Sequence, residues 1–255
     1  MTQAVAYTVE VTSTGDRDVN EVLEVLEAMH PEGAADPHEG LRERKKRRLR
    51  QQISDVATAM FLVHGFDNVP VARIAAVCEV SEQTVFNYFP TKESMLLDRS
   101  DSMTKAVVDA VLDGAGASLV EDVVQALSTG PQFAPPGTVD EARQLHFMRL
   151  FCDVATGSPS LAAARHAEFA RFVDDVSVAL AKRVGTDPIG PEVQLAAVVV
   201  AGLSRARLQS MYHHVNHVTS FAALHDLVRD DFLRAARLAE PTLTAFDAMR
   251  QAAGS

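Results

Sequence analysis

Residues 71–92, VARIAAVCEVSEQTVFNYFPTK, constrain this chain more than any other stretch. They predict two short helices joined by a tight turn. In the first, over 71–78, Val71, Ile74, Ala75 and Cys78 recur at spacings of three and four and so share one face of a helix. Pro70 precedes it, where a missing N–H costs nothing. Glu79-Val80 forms the turn, with Val80 facing inward. Ser81 is placed to cap the second helix, its hydroxyl accepting from the N–H of Gln83 or Thr84. Val85 and Phe89, four apart, face the core, which leaves Glu82, Gln83, Phe86 and Asn87 on the outer side. A polar helix start with an aromatic one turn later suits insertion into the major groove of DNA. Pro90 stops the helix and Thr91 caps the next. Lys92 then stands at a helix start, where the dipole disfavours a cation and a phosphate partner would explain it.

The run just upstream supports the same partner. Positions 42–50 read RERKKRRLR, seven bases and one acid, and lead into a helix whose apolar stripe is Ile53, Val56, Ala57, Met60 and Phe61. Bases about the first turns of such a helix can neutralise phosphates, and Arg44, Lys45, Arg47 and Arg48 are the candidates. Taken by itself the run also fits a solvated helix end or a localisation patch. Its distance from the paired helices favours phosphate contact.

A net charge of −10 looks wrong for a DNA-binding chain until it is divided along the sequence. Residues 1–40 carry −8, residues 41–100 carry +3, and residues 101–255 carry −5. Positive charge is thus local to the paired helices, and an acidic body discourages DNA contact elsewhere. The 255 residues, 47% apolar, allow a small DNA-binding domain and a larger second one. Cys78 and Cys152 suggest no disulfide framework. No signal peptide is visible, and the longest strongly apolar run, Leu195 to Leu203, is too short to span a bilayer, so a cytoplasmic protein is expected.

The periodicity implies an all-α fold with no strand-length alternation and no repeat. Residues 1–40 read as an acidic extension: an unperiodic start, a short amphipathic helix over 19–29 (Val19, Val22, Leu23, Leu26, Met29), and a linker at 31–40. Its composition suggests a loosely ordered tail with a fraying helix; a tail folded back on the basic run is the sharper alternative. Residues 41–92 form the helix–turn–helix domain and 93–255 a larger helical domain. Its helices are expected at 91–113, 117–129, 138–156, 159–185, 189–216 and 219–239, with a loop at 130–137 and Pro241 ending the last helix.

Ala59-Met60-Phe61, His64-Gly65-Phe66, Ile74-Ala75-Ala76, Val80-Ser81 and the run Thr84 to Glu93 resemble the tetracycline-repressor (TetR) family of bacterial transcription regulators over about residues 41–100. The resemblance implies that Gln83, Thr84, Phe86, Asn87 and Tyr88 approach bases or phosphates and that Lys92 grips a phosphate. Two positions depart from the family pattern. Glu79 stands where glycine is usual in the turn, and Phe86 where tyrosine is usual. Among the DNA-facing residues, with Ser81, Gln83 is the first choice for base reading, since glutamine pairs bidentately with adenine. Glu82 reads either as an acid favouring the helix dipole or as an acceptor from cytosine. Asn87 is a base contact or a solvated side chain, and Tyr88 a phosphate contact or a neighbour of Phe89.

The resemblance also implies a homodimer on a near-palindromic operator, a dimer interface built from the last two long helices, and a pocket for an effector. Segment 195–203 is apolar nearly all round, and Ala196, Ala197, Ala201 and Gly202 would let another helix approach. His146, Phe147, Phe151, Phe169, Phe172, Val173, Met211 and Tyr212 are pocket candidates, although such a stripe is more often plain core. Arg149 or Arg205 would orient an acid group on a mainly lipophilic effector. His213 and His217 have zinc-ligand spacing, but no third ligand is near, and no metal or other cofactor is expected. Neither a phosphate loop nor a nucleophile elbow occurs, so an enzyme is the less favoured class. The reading is therefore a repressor released by a small ligand. The alternative is a ligand-independent binder of double-stranded DNA acting through phosphates.

Overall fold

The computed structural model describes residues 14–29, 40–114, 118–129 and 139–253. The expected linker at 31–39, the loop at 130–137 and the unperiodic first residues lie outside them. Among the described residues every regular element is helical: α1 (Thr14–Met29), α2 (Leu41–His64), α3 (Val71–Val77), α4 (Glu82–Tyr88), α5 (Lys92–Asp113), α6 (Leu119–Thr129), α7 (Glu141–Gly157), α8 (Pro159–Val184), α9 (Pro191–His214) and α10 (Phe221–Ala253). They fall into two compact units. One holds the described residues up to Asp98 together with those from 139 to Ala162, and the other holds the rest.

In the first unit the middle of α2 is buried on every side. Ile53, Val56, Ala57, Met60 and Phe61 are covered as their spacing predicts, but so are Ser54, Asp55, Thr58, Ala59 and Leu62. The reason is α1. Its Val19, Val22, Leu23, Val25, Leu26 and Met29 are all buried, and it packs on α2 and α7. Glu24 on its outer side pairs with Arg143 of α7 at 2.7 Å. This corrects the expectation of a fraying helix in a loose tail. The composition is acidic, but the apolar stripe is long enough to dock. The first unit thus gathers α1 and α7 around α2 beside the paired short helices.

The second unit is built on Val107, Val111, Leu180, Val200, Phe232 and Leu243, contributed by α5, α8, α9 and α10. Ala196, Ala197 and Ala201 are buried in this core, whereas Leu195, Val198 and Gly202 lie on the outside of α9. The small residues of 195–203 thus serve mostly the chain's own packing. A buried cation, Arg183, holds the unit's far end: it donates to Asp247 (2.8 Å), Asp122 (3.3 Å) and the carbonyl of Val111 (3.0 Å). Burial works against its charge, but the bonds and charges of Asp247 and Asp122 outweigh that and hold its pKa above the ordinary range.

Pro241 does not end the last helix; it lies inside α10. A mid-helix proline forfeits one backbone hydrogen bond and strains the preceding turn. Here Leu243 and Phe246 beyond it are buried and Asp247 holds Arg183, so packing keeps the chain helical. α9 ends at His214, so His217 lies beyond the helix and the histidine pair does not share one helical face. Among the described residues no three groups are placed to hold a metal ion, and no helix is long and apolar enough to cross a membrane.

Leu26 is fully buried, and truncating such a leucine costs about 2–5 kcal/mol. Leu26→Ala should lower the free energy of denaturant unfolding of the first unit by that amount; a loss below about 0.5 kcal/mol, the surface range, would mean that α1 is not docked.

Candidate nucleic-acid interface

The interface is assembled on α2. At its C-terminal end Gly65 has φ +83°, donates to the carbonyl of Phe61 (2.9 Å), and so ends the helix in a conformation that suits glycine. Phe66 then folds back onto Phe61, ring centroids 4.8 Å apart. α3 packs on this end through Ile74, Ala75 and Cys78. Burial pushes the Cys78 thiol up to about 12, so it behaves as a small apolar side chain and not as a nucleophile.

The turn between α3 and α4 is tight. Val80 N–H reaches back to the carbonyl of Ala75 at 3.0 Å, with Glu79 at φ +55°. That left-handed conformation is the one for which the family favours glycine, and Glu79 adopts it with a Cβ in the way. Ser81 then caps α4: its Oγ accepts from Thr84 N–H at 3.0 Å and shares a 2.8 Å bond with the Thr84 hydroxyl. Of the two amides considered for the cap, Thr84 is the one used. Both hydroxyls are thereby committed to holding the helix start.

α4 itself spans only two turns, and its two faces differ sharply. Val85 and the following Phe89 are fully buried. Glu82, Gln83 and Asn87 are exposed, and Phe86 is 41% exposed. Gln83 Nε2 donates to Asn87 Oδ1 at 3.2 Å. This leaves the Gln83 carbonyl and its second N–H pointing outward as an acceptor–donor pair, the complement of an adenine edge. Tyr88 is half-buried at the helix end. Thr91 and Ser94 cap α5 reciprocally, Ser94 N–H to Thr91 Oγ1 at 3.2 Å and Thr91 N–H to Ser94 Oγ at 3.3 Å.

Lys92 has an intramolecular reason for its position that the sequence does not show. Its Nζ lies 4.6 Å from the Phe66 ring centroid and 5.5 Å from that of Phe61. Burial pulls its pKa below the usual lysine range, against nearby Asp67 and Glu93. The aromatic seat fixes the direction of the ammonium, and a phosphate is not needed to account for a lysine at this helix start. Upstream, Arg42, Arg44, Lys45, Lys46, Arg47 and Arg48 are all exposed on the first turns of α2.

The residues proposed for an effector pocket are distributed over both units. His146, Phe147 and Phe151 are on α7 in the first; His146 is exposed and Phe147 buried, with the two phenylalanine rings 6.5 Å apart. Phe169, Phe172, Met211 and Tyr212 are on α8 and α9 in the second, where Phe172 and Met211 are buried. Arg165 donates to the Tyr212 hydroxyl at 3.1 Å, and the Arg205 guanidinium lies 5.8 Å from the Phe169 ring centroid. A groove of about 410 Å³ between α9 and α10 is lined by Glu192, Leu195, Pro241, Thr242, Ala245, Phe246 and Met249, and none of the pocket candidates borders it.

Residues 53–98 match the profile of bacterial regulatory proteins, tetR family. That segment takes in the two short helices and their turn, and there the chain is similar to this family. The chain is similar to the HTH-type transcriptional regulator TcmR of Streptomyces glaucescens, 36% identical over 72 residues, 28% of this chain and 32% of the relative. It is also similar to a candidate mycofactocin biosynthesis transcriptional regulator, MftR, of Mycobacterium tuberculosis, 36% identical over 59 residues, 23% of this chain and 30% of that one. The chain thus spans about a third of the length of these curated relatives. A crystal structure of a candidate TetR-family transcriptional regulator from Mesorhizobium loti aligns over 78% of this chain and 98% of its own, at 20% identity and a TM-score of 0.42.

Glu79 is a strained point in this segment. Left-handed backbone costs about 1–2 kcal/mol for a residue with a Cβ, partly offset by the about 0.5–1 kcal/mol entropy that glycine forfeits. Glu79→Gly should therefore raise the unfolding free energy by up to about 1 kcal/mol in denaturant titration; a destabilised variant would contradict the turn geometry.

Proposed function

We propose that this chain is a sequence-specific transcription regulator that binds an operator in double-stranded DNA as a homodimer. The observation that carries the proposal is the division of α4. Its inner face is locked by Val85 and Phe89, while Gln83, Phe86 and Asn87 stand outward, and the first turns of α2 carry exposed cations. Groove and phosphate contacts are then made from one rigid unit. Arg44, Lys45, Arg47, Arg48 and Lys92 supply the phosphate contacts in this reading, with Gln83 and Asn87 on base edges and Phe86 against a thymine methyl.

Support for the homodimer comes from the second unit. Leu195 (57% exposed) and Val198 (50%) stand outward on α9 with Gly202, and Leu238 (84%), Pro241 and Ala245 stand outward on α10 at matching three- and four-residue spacings. A two-fold interface there gives a palindromic site. The chain acts in the cytoplasm and carries out no catalysis in this account. Its effector is a small lipophilic molecule whose binding weakens that of DNA through a shared free energy. The runner-up, a ligand-independent DNA-binder relying on phosphates, has one specific observation in its favour: six exposed cations precede the reading helix.

Selection of bound sequences from random duplex DNA at near-physiological salt separates the two. The proposal expects an enriched near-palindrome; no enrichment contradicts it. On the enriched duplex, Gln83→Ala should relax base choice at one position per half-site with a loss of about 1–3 kcal/mol, and Lys92→Ala should weaken all sequences about equally. Unchanged base preference in Gln83→Ala would remove the assignment of that residue.

A further inference from the structure

Arg50 closes the basic run, and by sequence it belongs with the phosphate contacts. Its surroundings place it elsewhere. The guanidinium donates through Nη1 to the carbonyl of Tyr88 at 2.8 Å. Through Nε and Nη2 it grips Asp98 Oδ1 at 3.0 and 2.5 Å. Its Cζ lies 4.5 Å from the centroid of the buried Phe89 ring. One side chain of α2 thus meets the last residue of α4, the residue after it, and an acid on α5.

Each of these contacts has a physical reason. Tyr88 ends α4, so its carbonyl has no partner within the helix and sits at the negative end of the dipole, where a cation is favoured. The Asp98 side chain is only 14% exposed, so its attraction to Arg50 is less screened than that of a surface pair. Only a planar fork of several donors can serve a carbonyl and a carboxylate while stacking on a ring; a lysine ammonium cannot. α4 has seven residues, too few to hold an orientation by its own hydrogen bonds. Its start is held by the Ser81 cap and the turn at Glu79, and Arg50 holds its end.

We propose that Arg50, with Asp98, is a positioning residue for the recognition helix and not a phosphate contact: the clasp sets the tilt of α4 relative to α2, and with it which base edges Gln83 and Asn87 reach while α2 grips the backbone. The proposal rests on the DNA-reading function proposed above.

The two roles predict opposite results for one substitution. If Arg50 gripped a phosphate, Asp98→Asn would release it and remove a nearby negative charge, and DNA binding would tighten. If the clasp positions α4, Asp98→Asn weakens recognition. The experiment uses the full chain, the duplex enriched by selection and a scrambled duplex of equal length, with affinities by fluorescence anisotropy across salt concentrations. Asp98→Asn, Arg50→Ala and Arg50→Lys should each weaken binding to the enriched duplex by about tenfold and leave the scrambled duplex within about twofold. The double variant Arg50→Ala/Asp98→Asn should be no worse than either single one. The slope of log affinity against log salt should stay as in the wild type, whereas Arg44→Ala, a reference phosphate contact, lowers it by about 0.9. Tighter binding by Asp98→Asn, full function of Arg50→Lys, or a slope reduced by about 0.9 in Arg50→Ala overturns the proposal. Should Arg50→Ala melt at the assay temperature, Asp98→Asn and Arg50→Lys decide the question by themselves. A wild-type chain that binds both duplexes equally overturns the sequence-reading function itself, before any variant is made, and the role of Arg50 with it.

Discussion

Burial of α2 from Ile53 to Leu62 on all sides is the constraint on which the first unit depends. A helix exposed on one face could shift or rotate against its neighbours with little loss. This one is enclosed by α1, α3 and α7, and Phe61 in its last turn is fully covered. Close-packed interiors resist small displacements, so α2 serves as a fixed frame. Its N-terminal turns project cations, and its C-terminal end carries the aromatic seat of Lys92. Gly65 turns Phe66 back to complete that seat, and Ser54 ties α2 to α5 through a 3.1 Å bond to the Met95 carbonyl.

The recognition helix is the opposite kind of element. Two turns of helix are marginal in isolation, and α4 is held by contacts at its margins: the left-handed Glu79 before it, the Ser81 cap at its start, Phe89 buried behind it and Arg50 at its last carbonyl. Such an arrangement leaves the outer side chains free to be chosen for what they touch. Phe86 keeps 41% of its surface exposed on this outer face, which fits a side chain meant for a partner.

Much of this was readable from residue spacing because it is local. The period of Val71, Ile74, Ala75 and Cys78, the cap at Ser81 and the stop at Pro90 are decided within a few residues, and the two short helices appear where they predict. The same holds for the later helices, whose limits shift by a few residues, except that the last runs on past Pro241 to Ala253. What failed was decided at long range. Acidic composition concealed the docking of α1 because burial of Leu26 depends on a surface of α2 and α7 that spacing does not reveal. The local cost of Pro241 is real and predicts a stop, yet Leu243, Phe246 and Asp247 outweigh it through partners far away in sequence. The contacts of Arg50 with Asp98 and Tyr88, and of Lys92 with Phe66 and Phe61, likewise join residues far apart in sequence. For the effector, aromatic residues at helical spacing do not by themselves distinguish core from cavity.

The central claim is that the outer face of α4 meets DNA bases while α2 holds the backbone. A photoreactive benzophenone side chain placed at Phe86 tests it most directly, with a second chain carrying the probe at Lys45 as the backbone reference. On irradiation with the enriched duplex, the account predicts cross-links from position 86 to bases within each half-site, suppressed by excess unlabelled duplex of the same sequence and not by a scrambled one. Cross-links from position 45 alone, with none from position 86, would mean that the chain holds DNA by its charge and that α4 does not enter the groove.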